Sequence, residues 1–136
     1  MLSSRTRASY SSSAAYWSGR LYVGSDDRQV TCFDAATGTV LWTFALRYQG
    51  FSSPVAAEGR VYVGEGIHVD GDASLYCLDA VTGELVWSLP TGGHLEYAPT
   101  LSGDRVFASA GPDGVWCVDA ASGKPVWHFE GPHVDT

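Results

Sequence analysis

The chain has 136 residues, of which 45% are hydrophobic and 17% charged, with fifteen acidic residues against eight basic ones for a net charge of −7. That length matches one domain, and the balance of apolar to charged residues excludes a chain that stays disordered for want of a core. The acidic surplus argues against a nucleic-acid partner, which calls for a basic patch. The apolar runs are only a few residues long, short of the ~20 that span a bilayer, and residues 1–13 lack the apolar core of a signal peptide.

The elements come in three similar rounds. The first begins with SSAAYWS from Ser12, continues with Gly19-Arg20-Leu21-Tyr22-Val23-Gly24, and closes with CFDAATGTVLW from Cys32 to Trp42. The second reads SSPVAAE from Ser52, then Gly59-Arg60-Val61-Tyr62-Val63-Gly64, then CLDAVTGELVW from Cys77 to Trp87. The third reads YAPTLSG from Tyr97, a looser Asp104-Arg105-Val106-Phe107-Ala108-Ser109, and CVDAASGKPVW from Cys117 to Trp127. Successive tryptophans stand 45 and then 40 residues apart, and the extra length falls in the loop Gly66 to Ala73. Each round predicts four short strands joined by Gly-containing turns, in units of about 10–46, 50–90 and 95–130. Apolar residues alternate or cluster in short bursts, so no helix is predicted.

The turn between the last two strands has a readable mechanism. Its Asp carboxylate can accept a backbone N–H two residues on, and the Gly four residues after the Asp takes the positive φ of a tight hairpin. Asp34, Asp79 and Asp119, with Gly38, Gly83 and Gly123, are therefore read as turn builders rather than as catalytic or metal-binding groups. Segments such as Leu75-Tyr76-Cys77-Leu78 are apolar on both faces, which predicts sheets covered on both sides. Four-stranded antiparallel sheets that repeat every ~40–45 residues and stack face to face make a β-propeller, with about three blades present.

The Asp-x-x-Thr-Gly-x-x-x-Trp block resembles the tryptophan-docking repeat of the PQQ-like propellers. That family includes quinoprotein alcohol dehydrogenases and a propeller lipoprotein of outer-membrane assembly. The resemblance spans about Ser12 to Phe129 and implies that Trp42, Trp87 and Trp127 each stack on the turn of a neighbouring blade. It also implies a periplasmic or cell-surface setting. The family usually has Ala where Cys32, Cys77 and Cys117 stand, and a small, buried thiol keeps that packing role. Equivalent positions in stacked sheets lie ~10 Å apart, too far for a disulfide, and no Cys-x-x-Cys is present.

Candidate chemistry lies elsewhere. His94-Leu95-Glu96 and His133-Val134-Asp135 hold the same repeat position before an innermost strand, where residues of several blades could converge on zinc, manganese or iron. The plainer reading is that these pairs solvate the strand entrance. His68, Asp70 and Asp72 share the inserted loop, whose acids could meet calcium, although a full twelve-residue calcium loop is absent. His128 follows Trp127 with no partner evident in the sequence, while Trp17, Tyr48 and Tyr97 are either exposed aromatics for protein contacts or, as readily, aromatics packed between blades.

The resemblance to quinoproteins implies PQQ with calcium as an alternative cofactor set. Those enzymes use an adjacent cysteine pair, which this chain lacks. The reading reached is a non-catalytic interaction or ligand-binding scaffold without a cofactor, with part of a quinoprotein dehydrogenase as the alternative. Three blades leave two open sheet faces, so the expected partners are the remaining blades of a longer chain or a second copy of this one, besides a protein partner.

Overall fold

The computed structural model describes residues 13–25, 28–47, 53–65, 73–93, 95 and 98–130. They form twelve strands in three antiparallel sheets of four: β1 (Ala15–Trp17), β2 (Arg20–Ser25), β3 (Gln29–Asp34) and β4 (Val40–Ala45); β5 (Val55–Ala57), β6 (Arg60–Gly64), β7 (Ser74–Asp79) and β8 (Leu85–Pro90); β9 (Thr100–Ser102), β10 (Arg105–Ser109), β11 (Val115–Asp119) and β12 (Pro125–Phe129). Within each sheet the spatial order follows the chain order. This is an all-β fold, a partial β-propeller of three meander blades. Among the described residues the one departure from strands and turns is a single 3₁₀ turn at Gly111–Asp113. No helix among them is long and apolar enough to cross a membrane.

Register repeats from blade to blade. Tyr22 pairs with Cys32 and Cys32 with Trp42; Tyr62 pairs with Cys77 and Cys77 with Trp87; Phe107 pairs with Cys117 and Cys117 with Trp127. Directly opposed residues point to the same face of a sheet, so each blade carries one aromatic–thiol–aromatic row across its middle. The flanking rings stand 5.8, 6.0 and 6.1 Å apart, and the small thiol fits beneath them. A one-residue register shift follows each cysteine, between Cys32 and Phe33, Cys77 and Leu78, and Cys117 and Val118.

Two cores lie between the blades. The first joins Tyr22, Val30 and Cys32 of one sheet to Val61, Val63, Tyr76 and Leu78 of the next, with Trp17 and Trp42 packed against it. The second joins Tyr62, Leu75, Cys77 and Trp87 to Leu95, Val106, Ala108 and Val118. β7 is buried from Ser74 to Leu78 because both of its faces meet a neighbour. Trp17 is thus half-buried in an interblade core, the packed one of the two places its sequence position allows. Tyr48 and Tyr97 lie outside the described residues.

At each blade junction an indole crosses to the next turn. The Trp42 indole N–H donates to the Ala80 carbonyl at 3.2 Å, and the Tyr22 hydroxyl donates to the same oxygen at 2.9 Å. Trp87 repeats this with Ala120 at 2.8 Å. A Cβ built on Gly83 would sit 2.5 Å from Trp42 Cδ2, and one on Gly123 would sit 2.5 Å from Trp87 Cδ2, so only glycine admits the ring. Trp87 is 8% exposed, while Trp127, on the open face of the third blade, is 46% exposed. The first junction is also bridged by the fully buried Glu65, whose carboxylate accepts the Tyr76 hydroxyl at 2.8 and 3.0 Å and the Arg47 backbone N–H at 3.2 Å. The Arg47 guanidinium lies 3.7 Å from it.

Burial raises the Cys32 thiol from its ordinary value of 9.0 to about 11 and pushes Tyr22, Tyr62 and Tyr76 from 10.0 to about 12. Burial raises Cys77 in the same direction. Each of these groups holds its proton more tightly when folded. Their contribution to stability is therefore complete below the unfolded values and is lost as pH rises through the folded ones.

Two outcomes follow from this packing. Trp87→Ala should destabilise the protein by ~3–5 kcal/mol in a urea melt, because it empties a large buried volume, whereas the half-exposed Trp127 should lose under ~1 kcal/mol on the same change. Equal losses would show that Trp87 gains nothing from the neighbouring blade. The urea midpoint should also hold steady up to about pH 9 and fall from there toward about pH 11, and a flat profile through that window would contradict the buried thiols and phenols.

Candidate functional site

Two groupings of polar residues carry the chemistry of the described chain: the three Asp–Gly turns and a cluster on the third blade. In the first turn Asp34 Oδ1 accepts the backbone N–H of Ala36 at 2.9 Å and of Thr37 at 3.1 Å. In the second, Asp79 Oδ1 accepts Val81 N–H at 2.8 Å and Thr82 N–H at 3.0 Å. In the third, Asp119 Oδ2 takes the Ser122 N–H at 2.9 Å and the Ser122 hydroxyl at 2.7 Å. Gly38, Gly83 and Gly123 all take φ near +78°, and each N–H returns to the carbonyl of its Asp. Bonds from Thr82 and Val81 hold the Asp79 carboxyl below its usual range, and those from Ser122 do the same for Asp119. Such carboxylates are pinned, ionised acceptors and poor proton carriers.

Each turn is tied back to its own blade as well. Ala35, Ala80 and Ala120 N–H groups donate to the carbonyls of Gly19, Gly59 and Asp104. That orients the Ala80 and Ala120 carbonyls toward the incoming indoles. The thiols of Cys32, Cys77 and Cys117 are free and buried. A buried thiol with a raised pKa is a weak nucleophile and a weak ligand.

The second grouping was not legible from motifs. The His128 ring stacks on Trp116 with centroids 3.8 Å apart and planes 9° from parallel. Its Nε2 lies 2.5 Å from the Asp113 carbonyl, which can only accept, so Nε2 carries a proton. Asp113 Oδ2 accepts the Gly92 N–H at 2.8 Å and the Trp116 indole N–H at 2.9 Å. His128 therefore does have partners, contrary to the sequence reading. The register of the β11–β12 hairpin sets Trp116 opposite His128, and counting outward from the Asp119–Gly123 turn would have found the pair.

Asp113, His128 and Glu130 offer ligand atoms within 4.8 Å of one another. Histidine with carboxylates suits a borderline cation such as zinc. Yet Asp113 Oδ2 already takes two N–H bonds, and His128 Nε2 is committed to a backbone carbonyl. The arrangement works as a clamp that fastens Gly92, in the connection leaving the second blade, to the third blade. The sequence candidates His68, Asp70, His94, Glu96, His133 and Asp135 all lie outside the described residues. Leu95, between His94 and Glu96, is buried and donates its N–H to the Glu65 carbonyl at 3.3 Å.

The fold has counterparts among solved structures. BamB from Moraxella catarrhalis superposes with a TM-score of 0.73 at 20% identity, over 88% of this chain and 36% of that one. The computationally designed Ika4 protein gives 0.79 at 17% identity, over 94% of this chain and 76% of that one. Quinohemoprotein alcohol dehydrogenase from Comamonas testosteroni gives 0.71 at 22% identity, over 89% of this chain and 21% of that one. The chain spans about a third of the length of the BamB structure it matches. No curated protein sequence matches it closely. The family model described as outer membrane protein assembly factor BamB matches residues 3–71 and again 64–136, and the chain belongs to that family of PQQ-like β-propeller repeat proteins.

Proposed function

We propose that this chain is part of a non-catalytic β-propeller that serves as a scaffold for binding a protein or another ligand. The observation that carries the reading is how the recurring polar groups are used. The three Asp residues are taken up by their own turns and the three thiols are buried under aromatic rings. The repeat thus builds surface without exposing reactive groups. Trp42 and Trp87 act as interblade rivets in this reading, and Trp127 is the third, awaiting a turn. The description of the matching family, an outer membrane protein assembly factor, supports a scaffold and a setting in the periplasm or at the outer membrane.

The open faces suit further blades. Phe107 and Trp127 repeat the aromatic row that faces a neighbour at the other junctions, and the Asp34–Gly38 turn repeats the bonding of the two turns that receive an indole. The remaining blades of a longer chain are the occupants this favours, with a second copy as the alternative.

The similar alcohol dehydrogenases favour a second reading, a share in a PQQ–calcium site. The residues present do not fit it. The cysteines stand in three separate sheets, each enclosed between rings, and cannot form the adjacent pair that such enzymes place beside the quinone. Protein incubated with PQQ, calcium and an alcohol should reduce no artificial electron acceptor above the protein-free control. Alcohol-dependent dye bleaching would overturn the scaffold reading.

A further inference from the structure

The two blade junctions share the indole docked on the neighbouring turn but differ at the end of the first strand of the leading blade. In the first, the last residue of the innermost strand is Trp17, set opposite Arg20 in the register. Its ring is packed against the interblade core and its Cη2 would lie 4.0 Å from a Cβ on Gly59, in the hairpin of the next blade. Trp17 thus fills the space between the β1–β2 and β5–β6 hairpins. In the second junction the same register position, opposite Arg60, is held by Ala57. There the space is open: a cleft of about 520 Å³ lies between Ala57, Arg60 and Tyr62 of the second blade and Leu101, Asp104 and Ala121 of the third. That volume falls within the ~300–1,000 Å³ of ordinary ligand pockets.

We infer that this cleft receives the indole of a tryptophan carried by a basic segment of a partner protein. The inference rests on the scaffold reading and names the chemistry of its partner. Three observations support it. The first junction shows that this geometry accepts an indole, because the chain places its own there. Arg60 lines the cleft from the position opposite Ala57, as Arg20 stands opposite Trp17, and a guanidinium facing an aromatic ring gains a cation–π contact. Glu58 also lines the cleft with Asp104, and the chain carries a net charge of −7, which favours Lys or Arg beside the inserted ring. The cleft exceeds one ring in size, leaving room for the adjoining backbone of a segment.

The test uses the ¹⁵N-labelled protein titrated with the capped tripeptide Lys-Trp-Lys, with Lys-Ala-Lys and free indole as controls. The tryptophan peptide should shift the amides of Ala57, Leu101 and Ala121, and Lys-Ala-Lys should not. Ala57→Trp, which installs the residue of the first junction, should weaken binding at least ~10-fold while melting no lower than the unmodified protein. Ala57→Leu gives a smaller filling group should the indole disturb folding, and it should weaken binding by an intermediate factor. Equal binding of Lys-Ala-Lys, or undiminished binding by folded Ala57→Trp, would overturn the proposal. Free indole binding as tightly as the peptide would overturn the partner segment in favour of a small aromatic ligand. These shifts report the cleft alone, so they fail independently of the quinone assay that tests the scaffold reading.

Discussion

A four-stranded sheet that is apolar on both faces must be covered on both faces, and the architecture of this chain depends on that requirement. β7 is the clearest case, with Ser74 through Leu78 buried as neighbours close on it from two sides. Burial at this level is the dominant favourable term in folding, at about 25 cal/mol per Å² of apolar surface. It supplies attraction but little direction. Two apolar sheets could slide or rotate against each other with modest loss.

Direction comes from the polar contacts at the blade rims. The Ala80 carbonyl takes both an indole N–H and a phenol from the preceding blade, and the Ala120 carbonyl takes an indole N–H. These bonds need a carbonyl that points outward from its own turn. The Asp carboxylate and the positive-φ glycine hold it there, and the missing Cβ lets the ring lie down on the turn. The cysteine in each row is explained by the same geometry: two large rings about 6 Å apart leave room beneath them for a small, apolar side chain. Away from the rims, Glu65 under Tyr76 and the Asp113 clamp on Gly92 secure the connections between blades.

Much of this was legible in the residues. The strand count, the turns, the aromatic and thiol landmarks and the propeller class follow from three aligned copies, because repetition separates structural positions from incidental ones. What escaped was pairing across a hairpin or a junction. His128 looked isolated because its partners, Trp116 and Asp113, are twelve and fifteen positions away in the chain, and only strand register brings them together. Trp17 could be read as a surface aromatic or as an interblade one, because nothing in the sequence says which side of β1 meets the next blade. Glu65 carries no motif, and its burial depends on Arg47 and Tyr76 arriving from different blades.

By itself, then, the sequence determined the repeating unit, since alternation and turn chemistry are local properties carried by neighbouring residues. Tertiary structure alone decided how the units meet: which indole is sheltered and which is exposed, where a buried carboxylate finds its donors, and where replacing one tryptophan by alanine opens a cleft. Those outcomes depend on distances between residues on different strands and different blades, and such distances exist only once the strands have paired and the sheets have stacked.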